Sequence, residues 1–310
     1  MEEIAPGVHQ LDTLLGGMDG VTAAFLIDGP LPALVETGAQ TSTATVVEAL
    51  AAAGVGAHDL RWVVVTHIHL DHAGAVGDVA AAFPSATVVV HERGARHLVD
   101  PSRLIGSAAR VYGPLLDGLY GRMRPVPSDR VVAAGDGLTL DLGGGRHLRL
   151  VDSPGHAKHH QAVLDEGTGT LLVGDAVGVQ LAGAGALRPA MPPPDFNLEQ
   201  AVASLRGFRA LHPTRLVLSH YGPVADPQAA LVEAEDALHR WVGAAERVLR
   251  DDPGAGVDEV AAALAENFAT PPPGAGPEVV RKVEALNGVR SNAAGIVRYL
   301  ARRASLESAP

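Results

Sequence analysis

The chain has 310 residues, 47% of them apolar and 19% charged, which supplies a sizeable core and argues against wholesale disorder. Its formal net charge of −11, with no block of Lys and Arg, argues against a nucleic-acid backbone as partner. With no cysteine, disulfides and thiolate metal sites are excluded, and aromatics at 4% leave Ala, Val and Leu to build the interior.

Residues 21–28 and 31–36 read as a hairpin pair around Gly29-Pro30. The Ala-rich stretch 41–53 reads as a helix, stopped by Gly54-Val55-Gly56. The run Trp62-Val63-Val64-Val65 lies in a buried strand over 61–66. A helix over 73–83, a strand over 86–90 and broken helices over 93–122 follow, interrupted at Pro101 and Gly113-Pro114. Short strands are expected at 130–133, 138–142, 147–151, 162–165 and 171–173, separated by Gly, Asp and Pro turns. A long loop over 178–197 precedes a helix over 198–211 and a buried strand over 215–218. From Asp226 onward the pattern is helical, split near Asp252-Pro253-Gly254 and near Thr270-Pro271-Pro272-Pro273-Gly274. The start of the chain has no basic and apolar leader pattern, and no apolar run approaches the length of a membrane span. A cytoplasmic protein with no membrane partner is the expectation.

The chemistry concentrates directly after the 61–66 strand. The segment Thr66-His67-Ile68-His69-Leu70-Asp71-His72-Ala73-Gly74 packs four metal-ligand side chains into six residues. Burying three imidazoles and a carboxylate together is costly unless a cation organises them. Residues i and i+2 of an extended backbone project to one side, so His67 and His69 can converge on one ion. Asp71 and His72 lie beyond the turn, free to reach a second. Three further groups have similar settings. His156 follows a strand end through Pro154-Gly155, Asp175 follows Leu171-Leu172-Val173 through Gly174, and His220 follows Leu216-Val217-Leu218 through Ser219. Each has a plainer reading, as a turn histidine, a strand-end cap and a loop histidine. The shared placement at strand ends favours one site, where open α/β sheets hold their ligands.

These seven residues fill, with no position missing, the pattern H-x-H-x-D-H, then H, then D, then H, and the chain resembles the metallo-β-lactamase superfamily. The resemblance runs over roughly residues 5–225 and includes Pro6-Gly7-Val8-His9-Gln10-Leu11 and Ala33-Leu34-Val35-Glu36-Thr37-Gly38. Many members carry Asp where this chain has Glu36, a departure expected not to touch the metal site.

The resemblance implies an α/β fold (α+β in some schemes), a four-layer αβ/βα sandwich with added C-terminal helices. The catalytic domain would span 1–225, and a helical extension packing on it would span 226–310. It implies that His67, His69 and His156 bind one divalent metal, that Asp71, His72 and His220 bind another, and that Asp175 bridges them. Zinc suits a His and carboxylate set, with iron or manganese as alternatives. Such an ion lowers the pKa of water from about 15.7 towards ~7, and a second one roughly 3.5–4 Å away can polarise the substrate. Asp71 and Asp175 could accept a proton, and Tyr221 could donate to a developing oxyanion, although packing beneath the site is its other reading.

Around these ligands, His160 is expected to hydrogen-bond behind them or in the core, and His159 is not needed as a ligand. His58, His91, His97, His147, His212 and His239 read as surface or capping residues. Arg96, Arg103, Arg110, Arg122 and Arg124 could line an anion pocket or form a solvated helix face.

The leading function is hydrolysis of an ester-like bond in a small-molecule substrate: a lactone or thioester ahead of a β-lactam or phosphoester. The alternative is a di-iron or mononuclear-iron oxidoreductase of the same superfamily, although no flavodoxin-like extension with a phosphate-binding loop is expected. A third class, a binding module that has lost catalysis, conflicts with the complete ligand set. The C-terminal helices leave room for a homodimer.

Overall fold

The computed structural model describes residues 1–268 and 273–307, so 270–272 of the break expected around 270–274 lie outside the described residues. The chain divides into two compact units that interleave along the sequence. The first comprises Met1–Asp152, His159–Gly174 and Thr214–Pro223, and the second Ser153–Lys158, Asp175–Pro213 and Val224–Pro310.

In the first unit, one sheet runs in strict chain order: β1 (Glu2–Ala5), β2 (Val8–Asp12), β3 (Ala23–Ile27), β4 (Ala33–Val35), β5 (Trp62–Val64), β6 (Thr87–His91) and β7 (Val131–Ala134). Pairing is antiparallel from β1 to β4 and parallel from β4 to β7. The switch matters, because β4 and β5 deliver their carboxyl ends to the same edge. The parallel strands are connected through α1 (Thr43–Ala52), α2 (Leu70–Ala73), α3 (Val76–Ala82), α4 (Glu92–Val99), α5 (Ser102–Tyr112) and α6 (Leu115–Leu119). The helix expected over 73–83 is realised as α3, with α2 a separate turn before it that ends at Ala73. A Cβ at Gly74 would lie 2.2 Å from the Leu70 carbonyl oxygen and 2.8 Å from the Gln40 nitrogen, so only glycine lets the chain pass there.

The second sheet has the order β13-β12-β11-β10-β9-β8, with β8 (Thr139–Asp141), β9 (His147–Asp152), β10 (Gln161–Asp165), β11 (Thr170–Leu172), β12 (Arg215–Leu218) and β13 (Gly222–Pro223). Only β11 and β12 run parallel, so their carboxyl ends also share an edge. Strands β1, β2 and β13 were not expected from pattern. β1 carries Glu2 and Glu3 on an exposed sheet edge, where no apolar alternation is required.

The two sheets face each other across one core. Phe25, Ile27, Val35, Val64 and Val89 meet Leu140, Leu148, Leu150, Val163, Leu172 and Val217, all essentially inaccessible. Phe25 is the one aromatic ring fully buried in this cluster, the rest being Val, Leu, Ile and Ala, as the composition requires. The sheets are also tied by hydrogen bonds at the ligand-bearing edge. The Gln161 N–H donates to the Thr66 carbonyl at 2.8 Å, and the Ala23 N–H donates to the Ser219 carbonyl at 2.8 Å.

The second unit is helical: α7 (Leu198–Ala210), α8 (Pro227–Asp251), α9 (Val257–Asn267), α10 (Pro277–Asn287) and α11 (Val289–Glu307). Helix α8 starts where its sequence dictates, with the Asp226 carboxylate accepting from the Ala229 N–H and Pro227 in the first turn. It packs against α7 and α9, and α11 against α9, around Phe208, Leu231, Trp241, Leu264 and Ile296. No helix among the described residues is long and apolar enough to cross a membrane.

Truncating the ring at the centre of the inter-sheet core should leave a cavity that the small Ala and Val neighbours cannot close. Phe25→Ala is expected to cost about 3–5 kcal/mol, read as a lower denaturation midpoint in urea.

Candidate metal centre

Strand β5 ends at Val64, and the chain reaches α2 through Thr66, His67, Ile68 and His69. His69 is the N-terminal flank of α2 in extended conformation (φ −64°, ψ 152°), and its carbonyl accepts from the N–H groups of His72 and Ala73. This short helical turn swings Asp71 and His72 back towards the strand ends. His67 Nε2 and His69 Nδ1 lie 3.0 Å apart, and the His67 and His72 ring centroids are 4.1 Å apart. His220, after β12, brings its Nε2 to 3.1 Å from His72 Nε2. Asp71 Oδ2 stands 3.5 Å from His72 Nε2 and 3.4 Å from His220 Nε2. Asp71, His72 and His220 thus form one compact group within the first unit that could hold a metal ion.

The far sides of these rings decide which nitrogen faces inward. His220 Nδ1 lies 2.7 Å from the Val21 carbonyl oxygen. A carbonyl only accepts, so Nδ1 carries the proton and, in the neutral ring, Nε2 presents its lone pair. His72 Nδ1 lies 3.1 Å from Glu36 Oε1 and is oriented the same way. Two imidazole lone pairs and a carboxylate oxygen then converge with no proton between them. That arrangement repels itself in the absence of a cation and fits a divalent metal when one is bound.

Glu36 is the residue whose importance the sequence understated. The expectation concerned only the exchange of Asp for Glu at this position; the residue itself has a fully buried carboxylate that gathers four donors. Besides His72 Nδ1, it accepts from Thr66 Oγ1 at 2.5 Å, the Thr66 N–H at 3.3 Å and Ser219 Oγ at 3.2 Å. Thr66 Oγ1 in turn sits 3.0 Å from His67 Nδ1, so one carboxylate orients His72 directly and His67 through a hydroxyl. The residue also holds an unusual backbone angle, φ +67°, set by its N–H donating to the Val64 carbonyl at 2.8 Å. Thr37 completes the brace, its N–H and Oγ1 both donating to the His72 carbonyl, at 2.8 and 2.9 Å.

In the second unit, His156 and Asp175 form a pair with the same logic. The Ala190 carbonyl oxygen lies 2.9 Å from His156 Nδ1, so Nε2 is the nitrogen that faces Asp175 Oδ2 at 3.5 Å. Both side chains are more than nine-tenths buried.

The remaining expected site residues are placed elsewhere or behind the ligands. Tyr221 is half-buried against the inter-sheet core and its hydroxyl donates to Asp12 Oδ2 at 3.4 Å. Burial, chiefly, raises the pKa of that phenol. His160 is fully buried with its ring 5.0 Å from that of His67, and His159 stacks at 6.3 Å. His91 is a buried cap rather than a surface residue, accepting from the Arg93 N–H. Arg122 and Arg124 pair with Asp117 and Asp78 on the surface.

Tyr112 at the end of α5 had no readable signal. Although 36% of its surface is exposed, desolvation of the hydroxyl by its neighbours and then the negative charge of Asp71 raise its pKa, and its ring lies 4.7 Å from that of Tyr120.

Residues 17–220 match the family described as the metallo-beta-lactamase superfamily, and the chain belongs to it. Superfamily members bind divalent metals, and hydrolases are among this chain's relatives. Over 169 residues the chain is 30% identical to the metallo-beta-lactamase fold-containing protein ST1585 of Sulfurisphaera tokodaii, a stretch covering 54% of this chain and 62% of that protein. The chain therefore spans less than two thirds of that relative's length. Over 116 residues it is 34% identical to the N-acyl homoserine lactonase AttM of Azorhizobium caulinodans, 36% of this chain and 38% of that one. Among solved structures, the metallo-beta-lactamase family protein TTHA1429 from Thermus thermophilus aligns with a TM-score of 0.71 at 21% identity, covering 97% of this chain and 95% of that chain. The fold is thus the mixed α/β fold of this superfamily.

Because Glu36 orients two histidines, Glu36→Gln should lower metal affinity by about 10–100-fold while the protein stays folded, as measured by chelator competition. A methyl at Gly174 would sit 2.6 Å from Thr66 Oγ1 and 2.6 Å from His160 Nε2, and Gly174 holds φ +50°. Gly174→Ala should therefore loosen the His67–Thr66–Glu36 chain and weaken metal retention in the same assay.

Proposed function

We propose that this protein is a metal-dependent hydrolase that attacks an ester-like bond, a lactone or thioester, in a small molecule. The observation that carries this reading is the inward convergence of His72 Nε2, His220 Nε2 and Asp71 Oδ2, each nitrogen fixed by a hydrogen bond on its ring's far side. The likeness to a lactonase supports the ester-like class.

In this reading His67, His69 and His156 would hold one ion and Asp71, His72 and His220 a second, with Asp175 available to either. Zinc, or iron or manganese in its place, would when bound supply Lewis acidity towards water and towards a substrate carbonyl. The chain's own residues do the rest. Glu36, Thr66, Thr37 and the Val21 carbonyl hold the imidazoles so that no reorganisation accompanies the reaction. Asp71 and Asp175 offer carboxylate oxygens that can take the proton released by the attacking water. Tyr221, with its hydroxyl turned to Asp12, supports the loop that carries His220. The catalytic role is assigned to residues 1–225 and a supporting role to the helical extension over 226–310, in a cytoplasmic protein that acts alone or as a homodimer.

The test is metal analysis of the purified protein combined with a panel of lactone, thioester, β-lactam and phosphodiester substrates. Two equivalents of divalent metal, hydrolysis of a lactone or thioester, loss of activity on chelation and recovery on adding zinc are the expected results. His72→Ala and His220→Ala should each lose at least one equivalent and reduce kcat by more than about 100-fold. A coloured, iron-loaded protein inert towards the whole panel would sink the hydrolase reading in favour of redox chemistry.

A further inference from the structure

Arg188 lies in the second unit, in the long segment between Asp175 and α7, and it is only 7% exposed. Neither Nη1 nor Nη2 has a hydrogen-bond partner among the described residues. Arginine cannot leave such a predicament by giving up its proton, as lysine can. Burial pulls its pKa down and the Glu284 carboxylate pulls it back up, but Glu284 is an exposed residue of α10 and makes no hydrogen bond to Nη1 or Nη2. A forked, fully charged donor is therefore held away from water with its two terminal nitrogens unengaged. A buried charge left in that state is among the costlier features a fold can carry.

The backbone around Arg188 is held too firmly for the side chain to drift into this position by accident. Arg188 and Val179 exchange both backbone hydrogen bonds, at 2.8 and 2.9 Å. Gly178 holds φ +115°, and a Cβ there would lie 2.2 Å from the Arg188 carbonyl oxygen, so glycine is required for the pairing. On the other side, Asn287 Nδ2 donates to the Pro189 carbonyl at 3.2 Å and the Met191 N–H donates to Asn292 Oδ1 at 2.7 Å. Thus the end of α10 and the first turns of α11 clamp the residues after Arg188. The same segment begins at Asp175, whose carbonyl accepts from the Gly178 N–H at 3.1 Å, and reaches Ala190, whose carbonyl orients His156.

We propose that Arg188 is an anion-binding residue whose Nη1 and Nη2 receive the two oxygens of a carboxylate on a small molecule. The fork geometry suits carboxylate and phosphate alike. Glu284 and the formal net charge of −11 decide between them, because each opposes a dianion more than a monoanion. The site goes beyond the hydrolytic reading and does not depend on it.

The test uses the full chain as purified and reads its thermal midpoint during separate titrations with sodium acetate, inorganic phosphate and sodium chloride at constant ionic strength. Acetate should raise the wild-type midpoint with the logarithm of its concentration, by about 2 °C at ten times its dissociation constant, and chloride should not. R188Q should lose the acetate response and, without acetate, should unfold at or above the wild-type midpoint, since it removes an uncompensated charge. E284Q should tighten acetate binding at least twofold, and it keeps the proposal falsifiable if R188Q fails to fold. An acetate response that persists in R188Q, or a midpoint lowered in both R188Q and E284Q, would make Arg188 a structural partner of Glu284 and overturn the proposal. A response to phosphate alone would overturn the carboxylate assignment.

Discussion

One buried carboxylate holds the first unit's histidines in register. Glu36 has no contact with water and accepts from Thr66, Ser219 and His72, three residues on different segments of the chain. Through those bonds it fixes the ring orientation of His72 and, by way of Thr66, of His67. Since each Nδ1 is occupied on the far side, the lone pairs of His72 and His220 are left to face Asp71 and one another. A cluster arranged this way is poised for a cation before one arrives, because the cost of aligning the donors has been met by folding.

The fold makes that arrangement available through strand direction. β4 and β5 are parallel and end at Glu36 and the His67 loop, while β11 and β12 are parallel and end at Gly174 and His220. Two sheets that face each other across an aliphatic core bring these four ends to one edge, and backbone bonds from Gln161 and Ala23 lock the sheets together there. The shortage of aromatic residues serves the same end. Val, Leu and Ile side chains of similar size let the sheets meet along their length, with Phe25 as the one ring fully buried between them.

Much of this was legible in the linear chain, and the reasons differ from residue to residue. His67, His69, Asp71 and His72 could be read because they are neighbours in sequence and follow a strand whose β-branched run is unambiguous. His156, Asp175 and His220 stand out in the sequence because each follows an apolar run by a few residues. Glu36 could not be valued. Its partners lie 30, 36 and 183 residues away, and its backbone takes a left-handed angle that no local signal announced. Tyr112 was hidden for a related reason, since α5 has no fully buried residue to advertise its orientation.

The donor chemistry is written in the linear chain: without cysteine and with seven His and Asp side chains placed after apolar runs, the donors it can offer a cation there are imidazole nitrogens and carboxylate oxygens. Ligand identity is a property of side chains, and spacing along a strand end is a property of a few bonds, so both survive in one dimension. Which nitrogen of each imidazole faces inward is a different matter. So are the residue that enforces it and the guanidinium left buried beside Val179. These depend on atoms brought together from distant segments, and no reading of neighbours along the chain could supply them. Their protons are assigned by carbonyls and carboxylates that only the folded backbone positions.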